Sequence, residues 1–539
     1  MMRNKIFIAL CIVLATALSR CAKRGSPTGG PKDSIPPVLL KANPPLQTVN
    51  FDAERVVMQF DEYVQLNDIT TQLIVSPPMD PNAYKIIPEG GIVSKKVEIR
   101  FLEAPRPNAT YTFNFGSAIE DYNEKNPLSF FSYSFSTGDY IDSLSLSGLV
   151  KDAFALKADT GISIQLYPID STYRDSTIFL DRPLYVGNTL DSTYFNLQNL
   201  APGKYEMIAI KDVAKNYVFD QGIDKIGFFD TPIELPKDSL LFPKLFNEIP
   251  NFQWARPRSV NDHHIVFGYY GLLEERKIEL ISDVPDDFES LIIKDKEKDS
   301  LHYWHTPLPE DIDSLVFRLY DRDTVRQSVV KFYRPEPDSL MITPVQTGVL
   351  NFIDTLQFSS SLPLSNIDEN YIQLYDIDTL AVPFTSSISK DKNQINFHFE
   401  KVPKDKYRIQ ILPNAITDFW GATNDTIQMT IRTLAVESYG TVFLKIDPGT
   451  EDPSYFYEIL DKNNVVVRKG IKNEQNSYQI PFLGPGEYQV RIVLDANENG
   501  QWDTGNYLEK RQPEEVLYLD EPFELRANWD QNVTITLEK

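Results

Sequence analysis

The chain has 539 residues, 42% of them hydrophobic and 12% aromatic, and a formal net charge of −23 at pH 7. That length exceeds what one hydrophobic core serves, and domains of about 100–150 residues give four or five units. So acidic a surface argues against DNA, RNA or anionic lipid as the main partner, and no stretch after the first twenty residues is apolar and long enough to span a bilayer as a helix.

In chain order, the first feature is a leader. Arg3 and Lys5 precede the apolar run Ile6 to Leu18, which is too short for a permanent span, and Leu18-Ser19-Arg20-Cys21 closes it. This reads as a lipoprotein signal peptide over residues 1–20, although Arg20 stands where such boxes carry a small residue. Cys21 is then expected to become the acylated mature N-terminus, each buried methylene adding roughly 0.8 kcal/mol of membrane affinity. The other reading is a plain secretory peptide with an incidental cysteine. Cys11 falls in the leader, so no disulfide is expected. Residues 21–34 form a flexible tether, rich in Gly and Pro and locally basic through Lys23, Arg24 and Lys32. Extended, it reaches on the order of 40 Å.

From 35 to 138 apolar residues alternate with a period of two, as in Val56-Met58-Phe60, Val97-Ile99-Phe101, Tyr111-Phe113-Phe115 and Phe131-Tyr133-Phe135. Half-buried strands broken by Pro and Asn turns predict an antiparallel sandwich. The order Pro36-Pro37, Phe60-Asp61-Glu62, Pro107-Asn108-Ala109-Thr110-Tyr111, Ala118-Ile119-Glu120-Asp121 and Phe135-Ser136-Thr137-Gly138 resembles the bacterial Ig-like domain of S-layer (SbsA) type. The run Cys21 to Asp33 in front of it is similar to the start of Ig-like-domain lipoproteins, a resemblance that implies an envelope component.

Residues 139–240 continue the alternation, clearest at Ile162-Ile164-Leu166 and Tyr205-Met207-Ala209. Their centre, Leu200-Ala201-Pro202-Gly203-Lys204-Tyr205, is similar to the turn and strand of prealbumin-like and carboxypeptidase-regulatory sandwiches, which implies a spacing module. Both units recur. Tyr407 to Ile411, Ala415 to Phe419 and Ile431 to Thr433 repeat the end of the first. Leu483-Gly484-Pro485-Gly486-Glu487-Tyr488, followed by Asp495, Asp503 and Gly505, repeats Leu200 to Tyr205, followed by Asp212, Asp220 and Gly222, at the same spacing. The predicted fold is therefore all-β: Ig-like sandwiches at 35–138 and 335–435, prealbumin-like sandwiches at 139–240 and 436–539, and a β-rich domain of unknown type at 251–334. Sandwiches in series on a lipid tether would form a long object.

Asp495, Asn497, Asn499, Asp503 and Asn506 occupy positions 1, 3, 5, 9 and 12 of a calcium loop, with Gly500 at 6 for the sharp bend. Asn506 is not the bidentate acid of that pattern, and Glu509 would have to substitute. An Asx-rich hairpin bonding its own backbone selects the same residues. The equivalent loop, Asp212 to Asp220, has Ala214 at position 3 and no glycine at 6, and is expected to be metal-free. The triplet Asp, Ser or Thr, aliphatic recurs at Asp142, Asp238, Asp299, Asp313, Asp338, Asp354 and Asp425; it resembles an envelope O-glycosylation motif, and a turn before a strand would select it equally. His302 and His305, like His263 and His264, are expected to be structural, since a strand does not place that spacing around a metal.

Glycine loops, nucleophile elbows and metalloprotease motifs are missing, so no catalytic residues are assigned and no enzyme is expected. The pattern implies a lipid-anchored outer-membrane scaffold or accessory subunit, with structural calcium and with integral outer-membrane or other envelope proteins as partners. The alternative is a glycan-capture surface lipoprotein. That function needs an aromatic platform, and Trp254, Trp304, Trp420, Trp502 and Trp529 are scattered along the sequence.

Overall fold

The computed structural model describes residues 33–274, 276–309, 312–322, 324–333 and 339–537. The leader, Cys21 and most of the tether lie outside them. Strands dominate the described chain, with single α-helical turns at Ile69–Gln72 and Thr177–Leu180. No helix among the described residues is long and apolar enough to cross a membrane. Two compact units form. One holds the residues up to Leu146 with Pro183–Leu190 and Asn196–Pro202; the other holds Ser147–Arg182, Asp191–Phe195 and the chain from Gly203 onward.

In the first unit the strands Leu39–Asn43, Arg55–Leu66, Ser94–Phe101 and Tyr84–Ile87 form one sheet, with Ile119–Asp121 added to Arg55–Leu66. Ile74–Ser76, Thr110–Asn114 and Ser132–Ser136 form a second sheet. The alternating side chains Val56, Met58, Phe60, Val97, Ile99, Tyr111, Phe113, Tyr133 and Phe135 build one buried core with both sheets. Period-two sequences fold this way because successive side chains of a strand point to opposite faces.

Four sheet-built segments make up the second unit. In the first of them Ser163–Pro168, Gly203–Lys211, Lys225–Phe228 and Lys244–Asn247 are neighbours, so this sheet runs past Leu240. The segment from 251 to 334, for which the sequence carries no family motif, is a sandwich. One sheet contains His264–Tyr270, Ser300–His305 and Ser290–Lys294, the other Arg276–Leu280, Ser314–Asp321 and Thr324–Lys331, around Ile265, Phe267, Tyr303, Phe317 and Leu319.

The two repeats extend to single hydrogen bonds. Tyr111 Oη accepts from Arg106 N, and Tyr407 Oη accepts from Val402 N, each five residues back. Thr137 Oγ1 then donates to Arg106 O, and Thr433 Oγ1 to Val402 O. In the other pair of repeats, Gly203–Lys211 and Gly486–Leu494 have the same length and the same burial along the strand. Each is joined near its start by a short strand, Ile233–Leu235 or Phe523–Leu525.

Candidate functional site

The strand Gly486–Leu494 delivers Asp495 into a tight loop. Asp495 Oδ1 accepts from Asn499 N at 3.1 Å and Oδ2 from Gly500 N at 2.8 Å. Gly500 has φ +70, a left-handed backbone that a side chain disfavours. Asn497 Nδ2 and Asn499 Nδ2 converge on Asp503 Oδ2, at 2.6 and 3.0 Å. The fold thus brings Asp495, Asn497, Asn499 and Asp503 onto one loop. Asn506 is engaged elsewhere, its side-chain oxygen accepting from Glu509 N, and Glu509 pairs with Arg511.

Glu514 is the acid that joins the loop, and the sequence pattern missed it because it lies eleven residues past Asp503. It accepts from Ala496 N and Asp503 N. Burial raises the Glu514 carboxyl above its ordinary range, and the Asp503 and Asp495 charges push the same way against its backbone hydrogen bonds. Among the described residues no group of three or more His, Cys, Asp or Glu side chains is placed to hold a metal ion. A metal-binding donor set here depends on the two asparagines.

The equivalent loop repeats this framework. Asp212 Oδ1 and Oδ2 accept from Asn216 N and Tyr217 N, and Asn216 Nδ2 donates to Asp220 Oδ2 at 3.0 Å. Left-handed residues fall at the same two positions, Lys215 and Tyr217 against Glu498 and Gly500. The hydrogen-bond net therefore belongs to the turn itself, and what distinguishes 495–503 is Asn497 and Gly500.

Beyond Asp503 the chain inserts into the second sandwich. Tyr507 is fully buried in a cluster with Tyr167, Ile208, Ile210, Phe228 and Phe246, against which Trp502 also packs. Its N–H donates to Glu248 Oε1, and its hydroxyl lies 2.8 Å from that of Tyr173. Burial raises both the Glu248 carboxyl and the Tyr507 phenol above their ordinary ranges. Lys510 Nζ sits 3.8 Å from the Tyr507 ring centre and bonds Glu206 at 3.0 Å and Asp175 at 3.2 Å. At Gly505 a Cβ would stand 2.6 Å from the Phe246 ring and 2.7 Å from Arg511 O, so only glycine lets the loop pass. Tyr518 Oη donates to Phe154 O at 2.7 Å, and the Arg491 guanidinium, paired with buried Glu458, lies 4.1 Å from the Phe154 ring centre. Together these contacts latch the last sandwich to the second.

A second cluster occupies the joint of the third and fourth sandwiches. Four of the five histidines meet there with two tryptophans that are far apart in sequence. His264 stacks on Trp304 at 3.6 Å, Trp304 meets Trp420 at 5.7 Å, and Trp420 Nε1 donates to His305 O at 2.9 Å. Asp295 Oδ2 is 3.0 Å from His302 Nε2, whose Nδ1 is 2.8 Å from His264 Nε2. Burial, then the His302 charge, pushes His264 down to about 3, and burial also lowers His305.

Of the Asp-Ser/Thr triplets, Ser143, Ser239, Ser339 and Thr426 are exposed, whereas Ser300 is buried.

A family model described as a bacterial Ig-like domain matches residues 33–137, the first sandwich. No curated protein matches the chain. Solved structures similar to it include native alpha-2-macroglobulin from Escherichia coli spanning domains MG0-NIE-MG1, at 13% identity over 35% of this chain and 94% of that one, with TM-score 0.17. The Bacillus anthracis TIE protein is similar at 12% identity over 97% of this chain and 78% of that one, TM-score 0.14. Domains 1–6 of surface layer protein SbsC are similar at 10% identity over 92% of this chain and 68% of that one, TM-score 0.17.

Proposed function

We propose that this protein is a non-enzymatic, lipid-anchored scaffold or accessory subunit of an outer-membrane protein complex, acting in envelope protein assembly or secretion. The supporting observation is the latch centred on Tyr507, Lys510 and Glu248. Sandwiches clamped to one another hold their loops and sheet edges in fixed relation, which suits engagement of partner proteins by edge addition and loop contact. Acylation of Cys21 would supply the membrane attachment, and integral outer-membrane or other envelope proteins are the partners. Cys21→Ser is expected to release the protein from outer membrane; persistence in that fraction would rule out the lipid as anchor. Affinity purification in mild detergent is expected to recover an integral barrel protein, and depletion to lower outer-membrane protein levels or secretion. Normal levels together with no co-purifying barrel would end the scaffold reading.

The second and last sandwiches are read as two prealbumin-like modules, supported by their matched strands and loops. Asp495, Asn497, Asn499 and Asp503 would hold a structural calcium ion through side-chain oxygens, once the asparagine amides turn their oxygens inward. Calcium that binds only the folded chain stabilises by about 2.7 kcal/mol at a hundredfold excess over Kd. The Tm is expected to rise in millimolar calcium and fall with chelator, and an Asp495→Asn, Asp503→Asn variant to lose the response. The second reading, a glycan-capture surface lipoprotein, has less support: Trp304 meets Trp420 in the fold, yet Trp304 is buried and stacked on His264 and offers no open aromatic platform.

A further inference from the structure

The second and last sandwiches present the same outward face with different side chains. In the second, residues 147–151 run between 193–194 on one side and 240–244 on the other. Val150 N donates to Thr193 O, and the next pair along is Leu149 with Tyr194. Ser147 pairs with Leu240 and Lys151 with Lys244 in one parallel register, so Phe242 stands on the other side of Leu149. Tyr194, Leu149 and Phe242 thus form a row across three segments, with Leu240 in the next row, and all four are between 42% and 58% exposed. In the last sandwich Lys445 pairs with Ser477 and Thr534. Ser477 precedes Leu483 by the same six residues that separate Tyr194 from Leu200. Exposed Ser477, Lys445 and Thr534 therefore stand where the second sandwich has Tyr194, Leu149 and Phe242. A polar row satisfies this fold, so the apolar row is not required by it.

Beyond the apolar rows Lys151 and Lys244 lie side by side, a placement in which like charges disfavour each other. Glu515 reaches Lys244 at 3.5 Å, while Lys151 lies 6.0 Å from the Phe242 ring centre and makes no ion pair among the described residues. No carboxylate stands in these three rows, on a chain with 76 Asp and Glu. Exposed apolar surface of this kind marks a contact site. Four side chains at about half exposure fall well short of the ~800 Å² per partner that stable protein interfaces bury. A net charge of −23 on each copy also repels a second copy. A bilayer needs no such area and supplies both chemistries: an acyl boundary for the apolar row, and phosphates for lysines whose stems lie along it.

We propose that this face of the second sandwich docks on a zwitterionic phospholipid surface, with Tyr194, Leu149, Phe242 and Leu240 at the acyl boundary and Lys151 and Lys244 at the phosphates. The proposal deepens the lipid-anchored reading, and a chain without acyl groups separates the two. The chain from residue 21 onward, carrying Cys21→Ser, would be floated with vesicles of phosphatidylcholine and phosphatidylethanolamine. Reversible, saturable binding is expected. Tyr194→Ser, Leu149→Lys and Phe242→Thr together, which copy the row of the last sandwich, are expected to weaken it tenfold or more, and Phe443→Ala in the last sandwich to leave it unchanged. Cys21→Ser leaves no cysteine after the leader, so Leu240→Cys in that chain takes a single environment-sensitive fluorophore, whose emission should shift to the blue on binding. That exposed position keeps the test valid if the triple variant misfolds. Absence of binding at millimolar lipid overturns the proposal and leaves the acyl anchor, which fractionation of cells tests, untouched. Full affinity in a folded triple variant, or a fluorophore at position 240 unmoved by bound vesicles, overturns it too. So does a concentration-dependent dimer abolished by the same three changes, which would assign the face to a second copy.

Discussion

Tyr507 is held by a carboxylate 259 residues away in sequence, and its side chain has no exposed surface. Burying an aromatic side chain contributes about 1.5–3 kcal/mol, and truncating one costs about 3–5 kcal/mol once the cavity is counted. Tyr507→Ala is therefore expected to destabilise the latch by that amount and raise hydrogen exchange in Gly203–Lys211, whereas Tyr507→Phe, which loses only the bond to Tyr173, should cost about 1 kcal/mol. A different residue-scale effect follows from the histidines. His264 and His305 have folded values below the unfolded one of about 6.5, so the unfolded chain binds more protons. Their contribution to stability is complete above pH ~6.5 and is lost progressively as pH falls toward the folded value of about 3 for His264. Glu248 and Glu514, raised by burial, act in the opposite sense, adding stability as they protonate. Between pH 7 and 4.5 the urea midpoint of the wild type should thus lose more, relative to its pH 7 value, than that of His264→Gln.

Elements that alternate cleanly were legible in the sequence, and those buried on both faces were only half so. In Gly203–Lys211 the expected core face, Tyr205, Met207 and Ala209, is buried, and so is the opposite face, Glu206, Ile208 and Ile210. Gly486–Leu494 behaves likewise through Gln489, Arg491 and Val493. The signal was present as the unbroken run Met207-Ile208-Ala209-Ile210, since continuous apolar strands are buried on both sides. The sequence could not indicate what covers that face, because the cover comes from 502–512. Nor could it place Trp304 beside Trp420, which only tertiary packing brings together. The calcium-like spacing was legible, but Glu514 lies outside any loop motif. At this scale Gly500→Ala tests the loop alone: no atom lies within 4 Å of the added Cβ, so the cost of about 1–2 kcal/mol comes from the left-handed backbone and should appear as a lowered Tm.

Across the second unit the chain leads from the second sandwich into the third, and contacts run from the third through the fourth to the last and back to the second. The third meets the fourth through Lys296 and Asp391 at 2.8 Å, the fourth meets the last through Asn351 Nδ2 and Phe482 O at 2.7 Å, and Tyr507 closes the circuit. Serial linkage alone predicted a long object; within this unit the last sandwich instead folds back on the second. A protease site inserted at the exposed pair Val436 and Glu437, between the fourth and last sandwiches, should cut the backbone yet leave both fragments together on gel filtration. Adding Lys510→Glu, which sets a third acid beside Glu206 and Asp175, should weaken that association.

The latch also gives the molecule a mechanical shunt. Tension applied to the last sandwich by a bound partner passes through the Tyr507 contact directly into the second sandwich, leaving the two intervening ones slack until that contact yields. Stretching by single-molecule force spectroscopy should therefore begin with one release event that frees the chain folded between Glu248 and Tyr507, and only afterwards unravel individual sandwiches.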